Sequence, residues 1–274
     1  MAELLVITED LIPERIHGYS AGYALRRLSR QEIVSIEDWL FENGEDRHIS
    51  GSPSALLFPD CPHAAGDFVG QCVTIAEFSV SLLISTRPPT FSTAAISSDG
   101  ACVWAGRLPT CGSESSELQF LPGITGLTAA HWLRVCAGAH RNAKRHLDVT
   151  FSRYVRSRRE QNAADALIDL CISLESLLDA EMEISFRFAL SLAKITNDKG
   201  AKAQEHADLL KGLYGYRSRA VHGDPKAERH FQKTQQRLPE LHNLARHILV
   251  AHVIYMQDHS RDEWKKHIEE RLYD

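Results

Sequence analysis

Arg217 and His222, five residues apart, are the residues of this 274-residue chain best suited to chemistry on a phosphate. A guanidinium stays charged at all physiological pH values, and an imidazole exchanges protons near neutral pH. Arg217 shares a stripe at helical spacing with three apolar residues, Leu210, Leu213 and Val221. Because a guanidinium among apolar neighbours needs an anionic partner, we expect either a carboxylate or a phosphate to meet it there.

Two other arginine–histidine pairs have the same spacing, Arg141/His146 and Arg237/His242, and chance alone gives about one such pair in this composition. Arg141 lies on the polar side of its predicted helix, and Pro239 disturbs the helix around the third pair. Only the first pair comes at the end of an amphipathic helix, directly before a glycine. Its context therefore selects it.

A purely structural interpretation of the pair stays open. His222 is a suitable C-terminal residue for its helix, where the helix dipole favours it. Glu175 is the candidate carboxylate, and an Arg217–Glu175 pair is a common structural device. In that case Tyr214 and Tyr216 are core or rim residues.

No other motif in the sequence predicts a metal, a cofactor or a standard hydrolase. The six cysteines include no Cys-x-x-Cys pair, and His242, His247 and His252 follow five-residue steps that spread them around a helix. The sequence has no Gly-rich phosphate loop, Gly-x-Ser-x-Gly turn or His-Glu-x-x-His run. NTPases and metal- or serine-dependent hydrolases have no support.

The segment 213–223, Leu-Tyr-Gly-Tyr-Arg-Ser-Arg-Ala-Val-His-Gly, resembles the signature of the HEPN domains, and its Tyr-x-x-Arg and Val-His-Gly parts are similar to the Apea-like branch. Residues 166–178 resemble the first helix of that domain, which often carries a Leu-Glu pair. The resemblance covers residues 160–257. One departure is Ser218, because catalytically competent members often have Asn, Asp or His after the arginine.

The resemblance implies a metal-independent endoribonuclease whose site forms across a homodimer, with Arg217 and His222 of both chains facing one cleft. Such enzymes let the RNA 2′-OH attack its own phosphate, so histidines supply the base and the acid and the arginine stabilises charge on the phosphoryl oxygens. Ser218, Arg219 and Glu175 are the expected supporting residues. We expect no cofactor.

Tyr216 is a candidate for stacking on a base, beside a phosphate held by Arg219. HEPN families commonly serve as toxins or in phage defence, which implies an antitoxin or sensor partner. Two alternatives stay open. Ser218 favours a non-catalytic HEPN module that binds RNA or a nucleotide or mediates assembly, and in the other the N-terminal half is functional and the helices only dimerise it.

Residues 127–159 form a second candidate RNA-binding region, since they carry eight lysines and arginines against one acid, Asp148. Several polar residues fall along one stripe of a predicted helix, with Lys144 beside them: Arg134, Arg141, Arg145, Ser152 and Arg156. One interpretation is a phosphate track for single-stranded RNA. The other is a solvated face that balances an acidic N-terminal half.

The elements that must position these residues predict an α+β fold with two domains. Residues 1–126 form a β-rich α+β domain with strand-like runs at 78–85, 91–96, 101–105 and 117–121. A helix there starts with the capping box Ser29–Glu32 and stops at Asn43. Residues 127–274 form an all-α, HEPN-type bundle, with predicted helices at 127–158, 161–179, 183–196, 202–222, 227–257 and 261–272.

Charge divides in the same place. The chain has a net charge of −5, yet residues 1–126 hold seven basic and sixteen acidic residues, and residues 127–274 hold twenty-four and twenty. A polyanion therefore suits the second half. The composition, 43% hydrophobic and 24% charged, is that of an ordinary globular protein. Without a long apolar run or a basic leader, we expect a cytoplasmic protein with no membrane partner.

Overall fold

The computed structural model describes residues 2–8, 18–20, 23–43, 49, 53–58, 66–85, 87–89, 91–97, 102–105, 119, 121–122, 126–143, 145–178, 184–196 and 200–273. The chain forms two compact units, Met1–Ala137 and Gly138–Asp274. The domain boundary expected from the sequence, between residues 126 and 127, is at the start of the helix Gly126–Ala143, and the unit boundary lies within that helix.

The first unit is built on an antiparallel sheet, in which the described strands follow the order β2-β3-β4-β1-β5-β6. They are β1 (Ala2–Thr8), β2 (Gly18–Ser20), β3 (Tyr23–Arg27), β4 (Ser54–Phe58), β5 (Ser92–Ser97) and β6 (Cys102–Ala105). In the register of the central strand, Leu5 of β1 lies between Leu57 of β4 and Ala94 of β5. Helices α1 (Arg30–Glu42) and α2 (Gly66–Leu83) connect strands of this sheet.

Helix α1 begins as its sequence predicts. The Ser29 hydroxyl accepts a hydrogen bond from the Glu32 N–H (3.3 Å), and the Glu32 carboxylate accepts one from the Ser29 N–H (2.8 Å). The capping box is therefore confirmed, and Asn43 ends the helix. Burial by itself raises the pKa of Glu32, but hydrogen bonds from Arg26 and Ser29 outweigh it and lower the pKa to about 2.

The strand predicted at 78–85 is wrong, because most of that segment belongs to helix α2. The Ser79 hydroxyl donates to the Ala76 carbonyl (3.0 Å) and the Ser81 hydroxyl donates to the Phe78 carbonyl (2.7 Å). Both serines are thereby satisfied inside the helix. Every residue from 78 to 84 is buried, so the alternation of serine and apolar residues does not distinguish a wet face from a dry one.

The other predicted strands are partly confirmed. The runs 91–96 and 101–105 correspond to β5 and β6. The run 117–121 falls mostly outside the described residues. Two of its residues do pair with the end of α2: the Gln119 carbonyl accepts from the Ser85 N–H (2.9 Å), and the Leu121 N–H donates to the Leu83 carbonyl (2.8 Å).

The described residues from 126 onward are mostly helical, which together with the sheet confirms an α+β composition. The helices are α3 (Gly126–Ala143), α4 (Arg145–Arg159), α5 (Ala163–Glu175), α6 (Ile184–Ile195), α7 (Ala201–Val221), α8 (Ala227–Gln235), α9 (Leu238–Met256) and α10 (Arg261–Tyr273). In the second unit α4 packs on α5 and α6 packs on α7. Fully buried Phe151, Tyr154 and Phe188 contribute to its core.

Two predicted helices are in fact four. The prediction of one continuous helix over 127–158 is wrong, because the His140 and Phe151 rings lie 6.2 Å apart, whereas the same eleven residues of an unbroken helix span about 16 Å. Residues 227–257 likewise divide into α8 and α9, which are separated at Gln236 and Arg237. Pro239 lies in the first turn of α9, where its missing N–H costs no helical hydrogen bond.

None of the helices in the described part of the chain combines the length and apolar run that crossing a bilayer requires.

Candidate functional site

Helix α7 ends in a Schellman motif that places His222 at the exposed end of the helix. The Asp224 N–H donates to the Arg219 carbonyl (3.0 Å) and the Gly223 N–H donates to the Ala220 carbonyl (3.3 Å). Gly223 has φ +64°, a left-handed conformation that glycine adopts without strain. His222 is the C-cap residue and is exposed to solvent.

We expect Gly223→Ala to lower the free energy of unfolding of the second unit, Gly138–Asp274, called the helical unit below, by about 1 kcal/mol, because an L side chain is strained at this φ. Gly212→Ala is the matched control. Gly212 lies within α7 with open space where a Cβ would stand, so that change should raise stability by about 0.5–1 kcal/mol. Urea unfolding followed by pulsed hydrogen exchange on α7 peptides measures both. Effects of the same sign would contradict the assignment of the turn.

Arg217 is half-buried and forms an ion pair with Glu175, the last residue of α5. Its Nη2 lies 3.1 Å from Glu175 Oε2, and the two side chains are 27% and 19% exposed. Its Nε is buried without a hydrogen-bond partner among the described residues. The carboxylate foreseen as one of two possible partners is therefore present, and part of the guanidinium is not engaged.

The stripe that contains Arg217 is apolar and buried only at one end. Leu210 and Leu213 are fully buried, whereas Val221 is 57% exposed. The apolar stripe is thus not buried along its whole length, because α7 emerges from the core in its last turn. Arg217 lies at the transition between the two environments.

The electrostatic surroundings of Arg217 centre on Glu175. Burial raises the pKa of Glu175, although Arg217 acts in the opposite direction. Burial also raises the pKa of Tyr214, and the Glu175 charge adds to that increase. The Cys171 thiol, buried one turn earlier on α5, has its pKa raised for the same two reasons. The cost of desolvating Glu175 thus exceeds what its partner returns.

Ser218 and Arg219, expected as supporting residues, contribute to the end of the helix. The Ser218 carbonyl accepts a hydrogen bond from the His222 N–H (3.2 Å). Arg219 Nη1 donates to the Gly215 carbonyl (3.0 Å), and its Nε lies 3.6 Å from Asp224 Oδ2. Arg219 therefore lies along α7 and bridges it to the turn that follows.

Tyr216 is not placed to stack on a base. It is 5% exposed, and its ring lies 5.6 Å from the Phe231 ring of α8 at an angle of 40°. The expectation that Tyr216 binds RNA is therefore wrong. Its ring packs α8 against α7. The motif around Arg217 does not by itself predict this packing.

The single basic stripe expected over 127–159 is also wrong, because it runs across the break between α3 and α4. Arg134 and Arg141 are exposed on α3, Arg145 begins α4 with a side chain outside the described set, and Lys144 lies wholly outside it. Arg156 is 2.9 Å from Asp169, a buried carboxylate of α5 that also pairs with Arg153 (2.6 Å). Part of the positive charge is therefore neutralised within the bundle.

Sequence reasoning missed a second set of cations beside the motif. We define the α8 stripe as Lys226, at the N-cap of α8, with Arg229, His230 and Lys233. These residues follow steps of three and four, which place them on one helical face. The four cations are visible in the sequence, but the expected single helix over 227–257 gives them no distinct surface.

Within the described residues, no group of three or more His, Cys, Asp and Glu side chains is arranged to hold a metal ion. His242, one of the three histidines at five-residue steps, has its Nε2 2.8 Å from the Ser157 hydroxyl.

Comparisons of the chain with models of protein families, with curated proteins and with solved structures found no match. The function proposed below is therefore inferred from the residues and geometry of the helical unit.

Proposed function

We propose that this protein is a metal-independent endoribonuclease of the HEPN type, whose site combines Arg217 and His222 from two chains. The observation that carries the proposal is the exposure of His222 at the end of the helix that also holds the half-buried Arg217. The imidazole is open to a substrate, and Arg217 precedes it by five residues on the same helix.

The reaction requires only the RNA and two imidazoles. The 2′-oxygen attacks the adjacent phosphorus while a neutral imidazole takes the 2′-OH proton. The bond from phosphorus to the 5′-oxygen breaks, and an imidazolium gives that oxygen a proton. The products are a 2′,3′-cyclic phosphate and a 5′-hydroxyl. One chain supplies one motif histidine, so the base and the acid come from two copies.

Arg217 is suited to stabilise the charge that develops on the phosphoryl oxygens. Its Nε has no hydrogen-bond partner among the described residues, and the Glu175 carboxylate occupies only part of its fork. Burial disfavours the charged form of Glu175, which makes this carboxylate a weaker partner for Arg217 and favours its exchange for a phosphate. Glu175 then acts as a positioning residue for the guanidinium.

A second candidate is a non-catalytic module that binds RNA. The observation that favours it is the ion pair itself, because Glu175 satisfies Arg217 within one chain and His222 fits the helix end as a cap. Under this alternative the motif stabilises the fold, and RNA is bound without being cut.

Cleavage of cellular RNA, as the leading proposal has it, fits a toxin or phage-defence effector that is restrained by an antitoxin or sensor.

We expect the purified full-length protein to cleave a single-stranded RNA oligonucleotide in the presence of EDTA. Mass spectrometry of the fragments should show 2′,3′-cyclic phosphate and 5′-hydroxyl ends. The matched substrate carries a 2′-deoxynucleotide at the cleavage position and should stay intact, because it lacks the attacking hydroxyl. Absence of cleavage in EDTA, or equal cleavage of the deoxy substrate, would overturn the proposed reaction.

A further inference from the structure

The α8 stripe is a continuous basic face beside the motif. Lys226, Arg229, His230 and Lys233 cover about 10 Å of helix at 1.5 Å per residue. Glu228, the acidic residue within α8, points at least about 100° away from them and accepts a hydrogen bond from Gln232 (2.7 Å). No carboxylate of α8 itself therefore interrupts the face.

Neighbouring elements leave most of this charge uncompensated. Lys226, Arg229 and Lys233 form no ion pair with any residue in the described ranges. Arg237, one turn further on, contrasts with them because it pairs with Glu205 (3.2 Å) and with Glu240.

Asp224, the carboxylate just before the stripe, is already engaged. Its Oδ1 accepts from the Lys226 backbone N–H (2.8 Å), and its Oδ2 lies 3.6 Å from the Arg219 Nε. It serves the turn and the end of α7, and the lysine and arginine side chains of the stripe remain available.

Positive charge converges on the centre of the stripe. Partial burial lowers the pKa of His230, and the charges of Arg219, Lys233 and Arg229 lower it further, while Asp224 acts in the opposite direction. A phosphate bound at this position would reduce the repulsion among these positive charges.

The stripe is held next to His222 by short connections. It begins four residues after His222, and the Ala227 N–H donates to the Asp224 carbonyl (2.8 Å) to start α8. The Tyr216–Phe231 ring contact at 5.6 Å fixes α8 against α7. The cations therefore belong to the same rigid hairpin as the motif.

We propose that the α8 stripe binds successive phosphates of a single RNA strand beside the position that His222 acts on. This inference rests on the proposed function, because it assigns the substrate path of the same site. A lipid surface fits less well: a membrane-bound basic helix presents an apolar face to the lipid, whereas Phe231 packs on Tyr216. Charge complementarity with a polyanion is what remains.

The test measures RNA binding in the His222→Ala background, which prevents cleavage during the assay. Anisotropy of a fluorescent single-stranded RNA is titrated at several salt concentrations. We expect Arg229→Gln/Lys233→Gln to raise Kd roughly tenfold and to reduce the slope of log K against log salt by about 1.4, at ~0.7 per lost phosphate contact. The control, Lys211→Gln/Lys266→Gln, removes two exposed lysines elsewhere on the helical unit and should change neither.

The outcomes separate this inference from the nuclease proposal. If the stripe variant binds RNA like its control while the wild type cleaves RNA, the stripe is refuted and the nuclease stands. If the slope changes as expected but the wild type does not cleave, the stripe stands and the nuclease fails. If the protein binds vesicles with anionic lipids and not RNA, the stripe proposal is overturned.

Discussion

Replacing His222 with alanine is expected to lower the rate of RNA cleavage by about 10²- to 10⁴-fold, the range that a general acid–base group contributes. In a composite site the substitution removes both the base and the acid, which favours the upper end. The fold should not change, because His222 is exposed and its backbone N–H still donates to the Ser218 carbonyl. Single-turnover cleavage in EDTA measures the rate.

His247→Ala is the matched control, since His247 is another exposed histidine of the helical unit and lies on α9. It should cleave at the wild-type rate. Preparing the wild type and both variants in parallel also detects a co-purifying ribonuclease, which would give all three the same rate. Cleavage by the His222→Ala protein at the wild-type rate would remove His222 from the mechanism.

The partner exchange proposed for Arg217 follows from the partial exposure of its ion pair. A fully buried guanidinium would lose several kcal/mol on leaving its carboxylate, whereas pairs near the surface contribute about 0–1 kcal/mol. Arg217 and Glu175 lie between these limits, at 27% and 19% exposure. The pair is therefore weaker than a fully buried one, and a phosphate can replace the carboxylate at the exposed part of the guanidinium.

Local signals in the sequence predicted local structure well. The Ser29–Glu32 box starts α1 because the two residues satisfy each other within one turn, whatever the rest of the chain does. Gly223 predicts the end of α7 for a similar reason, since few residues tolerate its φ of +64°. The alternating pattern at 78–85 led to a wrong strand prediction, because helix α2 is buried on every side over residues 78–83 and so has no single apolar face.

The part of the site that the sequence predicted is the anionic partner of Arg217. A charged Arg217 in an apolar stripe demanded an anion, and Glu175 supplies it. The burial of Tyr216 depends on the packing of α8 against α7. The residues around Tyr216 in the sequence do not reveal that packing. The sequence did not predict the α8 stripe, because the expected helix over 227–257 merges α8 with α9. Four cations stand out on a short helix but are ordinary on a long one.

Acidification from pH 7 to pH 4.5 is expected to lower the free energy of unfolding of the helical unit by about 2–3 kcal/mol through one imidazole, His242. The Ser157 hydroxyl donates to the Ala166 carbonyl (2.7 Å), so its oxygen accepts from His242 Nε2–H at 2.8 Å. Burial lowers the pKa of His242 to about 3, and the nearby Arg158 charge contributes to the shift.

The sign follows from the direction of that shift. The unfolded chain, with a histidine pKa near 6.5, binds a proton that the folded chain refuses until about pH 3. The stability supplied by neutral His242 is complete above about pH 6.5 and decreases by about 1.4 kcal/mol per pH unit below it. Urea unfolding at the two pH values, followed by pulsed hydrogen exchange on α9 peptides, measures the loss.

His242→Gln isolates this contribution, because the glutamine amide keeps a donor for Ser157 and cannot be protonated in this range. We expect the variant to retain a smaller part of the acid sensitivity, with carboxylates accounting for the remainder. His247→Gln, at an exposed position of the same helix, should behave like the wild type. If His242→Gln were as sensitive to acid as the wild type, the loss would arise elsewhere, since His242 is the group in this network whose protonation folding opposes.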